Sequence, residues 1–327
     1  MGMRKQSDAN GRTDRRTISI VVPCFNEEEA LPLLTPRLSS LGDQLEQDHN
    51  VEILMVDDGS ADQTWALIRD YAQKDCRVRG VSLSRNFGQQ AALTCGYDAA
   101  VGDAIVCIDA DLQDPPEVVL EMVSKWQEGA DVVYAIRRSR TSESAFKTTT
   151  AGLFYRLIRG MGARHVREDS GDFRLMSRRA LDALNKLREQ HRFIRGMVGW
   201  LGFRTAEVHY DRGPRVAGVT KYPFRRMMRF AVDATVSFSS FPLRLAYLLS
   251  AGLSLIFCGY LLYSTFMHAF FGRSVVPGWL SLLISVIAFG AINLVCLGII
   301  GEYVGRIFEQ VKERPLYLVG SDTRDEC

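Results

Sequence analysis

The sequence predicts an α/β domain built on a mostly parallel sheet, then an amphipathic juxtamembrane helix and a two-helix transmembrane hairpin. Three observations carry that prediction. Apolar stretches alternate with amphipathic ones over residues 17–136. Two runs of 28 residues, 245–272 and 274–301, contain no Asp, Glu, Lys or Arg. A basic segment stands directly before the first run. Whole-chain averages conceal this segregation. With 40 basic and 38 acidic residues among 327, a net charge of +2, 47% hydrophobic residues and a mean hydropathy of −0.03, the composition is that of an ordinary globular protein. It excludes a disordered chain, a collagen-like fibre and a strongly basic nucleic-acid binder. It does not exclude a membrane protein, because an average cannot register where residues lie along the chain.

Taken in order, residues 1–16 are polar, carry Arg4, Lys5, Arg12, Arg15 and Arg16, and lack an apolar core. They read as a flexible basic tail and not as a signal peptide. Strands are expected at 18–23, 51–57, 78–83, 104–109 and 132–136. Helices are expected near 27–47, 63–74, 89–101 and 117–128. Strand–helix alternation of this length implies parallel strands with helices on both faces. Ligands of such sheets bind beyond the carboxyl ends of the strands. Here those ends run into Pro23-Cys24-Phe25-Asn26-Glu27, Asp57-Asp58-Gly59-Ser60 and Asp109-Ala110-Asp111-Leu112-Gln113-Asp114. Each acidic cluster follows a buried strand, which is not where solubilising charge is needed.

The two charge-free runs are long enough to cross a bilayer, for which about 20 apolar residues suffice. Arg225, Arg226, Arg229 and Arg244 precede them, Arg306, Lys312 and Arg314 follow, and only Arg273 lies between. An excess of Lys and Arg marks the cytoplasmic side. The long N-terminal domain and both termini are therefore expected in the cytoplasm, on an inner (cytoplasmic) membrane. The expected divisions are a domain at 17–221, a juxtamembrane helix at 222–242, two spans within 243–301, and a cytoplasmic helix and tail at 302–327. On the juxtamembrane helix, Phe224, Met227, Met228, Ala231, Thr235 and Phe238 recur at helical spacing, opposite Arg225, Arg226 and Arg229. Such a helix suits the plane of the interface. Tyr303, Ile307, Phe308 and Val311 mark one side of the last helix, which is expected to pack on the domain. The seven cysteines form no Cys-x-x-Cys pair, which fits a reducing compartment.

Neither Gly-x-Gly-x-x-Gly nor a P-loop is present, so the glycine-rich phosphate cradles are missing. An Asp-x-Asp at a strand end, Asp109 and Asp111, is instead a hard-oxygen pair. Such pairs suit Mg²⁺ or Mn²⁺ bridging to substrate phosphates, although an Asx turn uses the same residues.

Four motifs in fixed order carry a resemblance: Val-Val-Pro-Cys-Phe-Asn-Glu-Glu-Glu, Val-Asp-Asp-Gly-Ser, Leu-Ser-Arg-Asn-Phe-Gly and Asp-Ala-Asp-Leu-Gln-Asp-Pro-Pro-Glu. With them the chain resembles family 2 glycosyltransferases of the GT-A fold, whose core is a Rossmann-like sheet. Within that group it resembles polyprenyl-phosphate glycosyltransferases. These include dolichol-phosphate mannose synthase and, closer, the bacterial bactoprenol (undecaprenyl-phosphate) glucosyltransferases that serve O-antigen or wall glucosylation. Asp169-Ser170-Gly171-Asp172-Phe173-Arg174-Leu175-Met176, the stretch 191–202, Thr220-Lys221-Tyr222-Pro223 and the two-span ending all match that branch.

The resemblance implies inverting transfer of a sugar, glucose from UDP-glucose first, to undecaprenyl phosphate on the cytoplasmic face. GDP-mannose or a UDP-amino sugar is the alternative donor. By the same resemblance, Pro23, Asn26, Glu27 and Asp58 hold the base and ribose, with Asp57 beside them or serving the strand end. Asp109, Asp111 and Gln113 hold Mg²⁺ or Mn²⁺ against the diphosphate. Arg85 is read either as donor-facing or as a surface ion-pair partner. Asp172 is a sugar-positioning carboxylate first and a base second, since a phosphate acceptor is already ionised. For the acceptor phosphate, Arg137 is ranked first among the cations after the fifth strand, which also include Arg138 and Lys147. Arg215 and Lys221 flank the acceptor-side loop. Residues 204–244 hold eight basic and three acidic residues, a net of +5, which suits anionic lipid. Relatives read Gly-Glu-(Ser/Thr)-Lys-Tyr in that loop, where this chain has Gly218-Val219-Thr220-Lys221-Tyr222. The relatives also suggest a homo-oligomer, a tetramer among the possibilities, and no nucleic-acid partner is expected. Three rivals are a processive polysaccharide synthase, a non-catalytic sugar-nucleotide sensor or flippase scaffold, and a channel. Gln190-His191-Arg192-Phe193 lacks the Gln-x-x-Arg-Trp signature of the first. The intact acidic motifs disfavour the second. Two spans without an ionisable path disfavour the third.

Overall fold

The computed structural model describes residues 15–138, 170–211, 241–271 and 279–325. The described residues fall into two units. One comprises 15–138, 170–211 and 315–325, and the other 241–271 and 279–314.

The first unit is an eight-stranded sheet flanked by helices. Strand β1 (Thr17–Cys24), helix α1 (Leu31–Leu45), β2 (Asn50–Asp57), α2 (Thr64–Lys74), β3 (Val78–Leu83), α3 (Gln89–Ala99), β4 (Ala104–Cys107), α4 (Val118–Gln127) and β5 (Val132–Arg137) follow one another as the alternation predicts. Next come β6 (Ser170–Ser177), α5 (Arg178–Asn185), α6 (Ile194–Trp200), β7 (Thr205–Tyr210) and, near the end of the chain, β8 (Val319–Asp322). The strand order is β7-β5-β6-β4-β1-β2-β3-β8. β1 pairs in parallel with β2 and β4, β2 with β3, and β5 with β7. Only β6 and β8 run antiparallel to their neighbours. The domain is thus the mostly parallel α/β sheet expected.

Periodicity explains the core. In α1, Leu31, Leu34, Leu38, Leu41 and Leu45 recur every three or four residues and are all buried. Each such leucine contributes roughly 1.5–3 kcal/mol on burial. The central strands are buried on both faces, so Ile18, Ile20, Val21 and Val22 run without a polar break except Ser19. Ser19 sits at the sheet edge remote from the acidic clusters. There its hydroxyl donates to Glu52 and accepts from the Gly102 N–H, while Glu52 also accepts from the Val101 N–H. That edge is closed on itself.

Three strands were not foreseen, β6, β7 and β8. β6 lies between β4 and β5, yet its sequence opens on Ser-Gly-Asp and carries a charge, Arg174, that is wholly buried. No alternation of apolar and polar residues marks it, because both faces are covered. β8 follows Pro315 and pairs with β3. Arg79 forks onto Asp322, the Gly80 N–H donates to the Thr323 hydroxyl, and the Ser84 N–H donates to the Leu318 carbonyl. The second long helix continues unbroken to Val311, leaving Ile307, Phe308 and Val311 exposed, and the segment that joins the sheet is a strand.

The second unit is a pair of long helices, α7 (Phe241–Phe271) and α8 (Trp279–Val311). Each contains a segment apolar and long enough to cross a membrane, Ala246–Met267 and Ile284–Val311. The helices touch where the Cys296 thiol approaches the Ala246 carbonyl at 3.8 Å and the Ser250 hydroxyl at 3.5 Å. Their outward side chains, such as Leu255, Phe270 and Leu294, are about three-quarters exposed. Soluble proteins rarely leave so continuous an apolar surface uncovered. The juxtamembrane helix expected at 222–242 lies, but for its last two residues, outside the described residues.

Candidate active site

The parallel strands point their carboxyl ends to one edge. Register pairs Cys24 with Asp57, Asp57 with Ser82, and Arg137 with Tyr210. The antiparallel β6 enters at the same edge, Ser170 opposite Ile136. All the acidic clusters therefore converge there, together with Asp172.

On the β1–β2 side the residues build loops. Asn26 has φ +53°, a left-handed conformation Asn tolerates. Its N–H donates to the Ser60 hydroxyl (2.9 Å), and its side-chain oxygen accepts from the Ala61 N–H (3.0 Å). The Glu27 N–H donates to the Thr64 hydroxyl (2.8 Å). Pro23 is half-buried at the strand end. Both Asp57 oxygens are engaged, one by the Ser60 N–H (3.0 Å) and one by the Ser82 hydroxyl (2.7 Å). That is the strand-end role noted as its alternative. Asp58 reaches the next loop, accepting from the N–H groups of Phe87 (2.8 Å) and Gly88 (2.9 Å). Burial raises its pKa, partly offset by those two N–H groups. Gly59 is required between them. Its φ is +65°, and a Cβ would stand 2.4 Å from the Arg85 carbonyl carbon. Arg85 is exposed and lies over the Phe87 ring, 4.0 Å from its centroid.

On the β4 side, Asp109 is the second residue past the strand and accepts from the Gln89 amide (3.1 Å). Asp111 accepts from the Gln113 N–H (3.2 Å), an Asx turn. Leu112 between them has φ +58°, a strained conformation for a bulky side chain. Burial, then the charges of Asp172, Asp114 and Asp111, push the Asp109 carboxyl up to about 7. Asp109, Asp111, Asp114 and Asp172 crowd one another here, and such a donor set suits a cation. Among the described residues no three His, Cys, Asp or Glu side chains close around one point. The set fits a divalent ion held by one or two carboxylates, an amide and substrate phosphates.

Asp172 is buried and held by two arginines. Arg195 forks onto it, Nε to Oδ1 (2.9 Å) and Nη2 to Oδ2 (2.9 Å), and Arg174 Nη2 adds a third bond (3.0 Å). Burial alone would raise its pKa. The Arg195 hydrogen bonds and the charges of Arg195, Arg174 and Arg137 outweigh burial and hold it below the usual carboxylate value. Arg174 Nη1 is buried without a partner among the described residues. Arg137 donates to the Tyr210 hydroxyl (3.4 Å) and stands 4.0 Å from Asp114, which accepts from Tyr210 (2.5 Å). Lys147, Arg215 and Lys221 lie outside the described residues.

Of the expected residues, the structure gathers Asp109, Asp111 and Asp172 into one electrostatic cluster. It places Asn26, Asp57 and Asp58 in a neighbouring loop cradle and Arg137 beside Asp114. Gln89, Arg174, Arg195 and Tyr210 were not anticipated. The first three lie in or beside quoted motifs, but a lone Gln or Arg in a sequence carries no chemical signature.

An α/β domain with this pole of carboxylates at the strand ends is the architecture of a GT-A transferase. The family model described as Glycosyl transferase family 2 matches residues 19–184. The chain is 45% identical to an uncharacterized glycosyltransferase, YkcC, of Bacillus subtilis (strain 168), over 92% of each chain. It is 40% identical to the SfII prophage-derived bactoprenol glucosyl transferase of Shigella flexneri, over 94% of this chain and 98% of that one. It is 39% identical to the prophage bactoprenol glucosyl transferase homolog of Escherichia coli (strain K12), over 92% and 98%. The chain belongs to glycosyl transferase family 2 and is a glycosyltransferase.

Proposed function

We propose that the protein transfers a sugar, glucose from UDP-glucose first, onto the phosphate of undecaprenyl phosphate with inversion at the anomeric carbon. The reaction takes place at the cytoplasmic face of a membrane crossed by α7 and α8. The observation that supports this most is the end-to-end similarity to relatives named bactoprenol glucosyl transferases, which extends through the apolar hairpin. A lipid acceptor gives that hairpin a purpose a soluble acceptor would not.

In this reading the loops around Pro23, Asn26, Glu27, Asp57, Asp58 and Arg85 receive the nucleoside. Asp57 and Asp58 act mainly by shaping the loops through the hydrogen bonds they accept. Asp109, Asp111 and Gln113 hold Mg²⁺ or Mn²⁺. The chemistry such an ion supplies when bound is neutralisation of charge on the departing nucleoside diphosphate. The acceptor phosphate is already an anion near neutral pH, so no strong base is needed. Asp172, with both oxygens engaged by arginines, is a positioning carboxylate and not a proton acceptor. Arg137, with Lys147, Arg215 and Lys221, meets the acceptor phosphate.

The test is to incubate the purified protein with undecaprenyl phosphate, Mg²⁺ or Mn²⁺ and a panel of nucleotide sugars. A lipid-linked glucose from UDP-glucose is expected. Transfer only from GDP-mannose or a UDP-amino sugar would change the donor, and no lipid-linked sugar across the panel would overturn the reading.

A further inference from the structure

Asp172 and Arg195 face each other fork to fork, but they are not equally placed. The Asp172 side chain is 2% exposed and that of Arg195 is 38% exposed. The carboxylate therefore lies underneath, and the guanidinium occupies the accessible side. A ligand approaching the pair meets Arg195 first. Arg174, wholly buried, holds the carboxylate from within the sheet and also donates to the backbone carbonyls of Asp172 and Gly171.

Arg195 is also fixed from its own backbone. It is the second residue of α6, and the N–H of Ile194 before it donates to Oε1 of Gln90 (3.0 Å). Gln90 lies in the first turn of α3, next to Gln89, whose amide donates to Asp109. Gly88 precedes both with φ +100°, and its N–H is held by Asp58. One short turn of α3 thus touches the Asp58 cradle, the Asp109 carboxylate and the helix that carries Arg195.

A guanidinium is planar, permanently charged and matched to phosphate oxygens. Held by a buried carboxylate, its plane is set before a ligand arrives, so less rotamer freedom is lost on binding. Both reactants in the proposed transfer are phosphates, and negative charge grows on the leaving diphosphate. A carboxylate underneath a cation is poorly placed to touch either.

We propose that Arg195 is the member of this pair that meets a phosphate of the reacting substrates, and that Asp172 and Gln90 are its positioning residues. The proposal rests on the transferase reading given under Proposed function.

The experiment uses the full-length protein with UDP-glucose and undecaprenyl phosphate, comparing Arg195→Gln, Arg195→Lys, Asp172→Asn, Gln90→Ala and the double variant Arg195→Gln/Asp172→Asn. Arg195→Gln is expected to lose about 100-fold in kcat/KM, and Arg195→Lys to recover about tenfold of that. Gln90→Ala should cost about fivefold. The double variant should be no slower than Arg195→Gln within about threefold, because Asp172 acts through Arg195. A selective rise in KM for UDP-glucose, with weaker UDP binding at equilibrium, identifies the donor diphosphate. A selective rise for undecaprenyl phosphate, with UDP binding unchanged, identifies the acceptor. Either supports the proposal.

The proposal is overturned if Arg195→Gln stays within about twofold of the native rate, or if Arg195→Lys recovers nothing. It is also overturned if Asp172→Asn costs a further tenfold or more in the Arg195→Gln background, since Asp172 would then act by itself. Should Arg195→Gln fail to show a native melting transition, Arg195→Lys and Gln90→Ala carry the same comparison. Their retention of full activity would overturn the proposal. A native protein inactive toward every donor would instead defeat the transferase reading, a distinguishable outcome.

Discussion

Asp57 and Asp111 are both acidic residues at the end of a strand, yet the structure gives them different expected phenotypes. Asp57 answers a backbone N–H and a hydroxyl, and it is buried. Asp57→Ala would leave the Ser60 N–H and the Ser82 hydroxyl without their acceptor. The expected loss is about 1–3 kcal/mol of stability, read as a lowered melting temperature. Asp111 is half-buried and accepts from the Gln113 N–H in a local turn. Asp111→Ala is expected to keep the native melting temperature and to lose about 100-fold or more in turnover with Mg²⁺ or Mn²⁺. Near-normal turnover would remove Asp111 from the metal site. Gly59→Ala tests the loop between β2 and α2. The added Cβ meets the backbone of Arg85 at 2.4 Å in a left-handed conformation, so a loss of more than about 2 kcal/mol is expected, with weaker UDP binding. Position in the chain distinguished none of these roles. A strand-end carboxylate reads alike whether it closes a turn or faces a ligand, and only its partners separate the cases.

The elements divide by how local their causes are. Strands β1 to β5 and helices α1 to α4 were legible because each carries its own period. The leucines of α1 show this, as does the unbroken apolar run of β1. β6 was not legible, because a central strand with Arg174 buried inside it depends on Asp172 and two backbone carbonyls to satisfy that charge. β8 was not legible either. It is short, at a sheet edge, and held chiefly by pairing with a strand more than 230 residues earlier. The Arg79–Asp322 fork is the test of that edge. Burial raises the Asp322 pKa, but the hydrogen bonds of Arg79 and the Arg324 N–H outweigh it and hold the carboxyl below its ordinary value. A carboxylate with a depressed folded pKa stabilises fully above its unfolded value near 3.9, and that contribution is lost as pH falls through the folded value. Asp322→Asn should therefore melt lower than the native protein, by an amount constant between pH 6 and 8 and shrinking below about pH 4. A gap unchanged at low pH would mean that the fork contributes nothing through charge.

At the scale of the molecule, two physically unlike units share one chain. The sheet unit buries its apolar residues, and the helical hairpin displays them. If α7 and α8 cross a bilayer, the protein should stay in the membrane pellet through an alkaline carbonate wash. Cysteine substitutions at residue 273 should then be labelled only from the outer side. Release into the wash would place the hairpin elsewhere. The net charge of +2 averages a segment of +5 at residues 204–244 with a nearly balanced remainder, so a basic segment ahead of the first long apolar helix was visible only once the chain was read in order.

What was decided locally could be read from the sequence: the alternation, the acidic strand ends, the two long apolar stretches and their flanking charges. Each depends on residues close together in the chain, and the period of a strand or helix follows from backbone geometry alone. What pairing across the sheet decided could not be read that way. The insertion of β6 brought Asp172 to the edge that holds Asp109, and the return of β8 closed the far side of the sheet. The first turn of α3 set Arg195 over Asp172 from more than 100 residues away. Charges so far apart in sequence acquire an energy of interaction only when the fold places them within a few ångströms, because water and salt screen them otherwise.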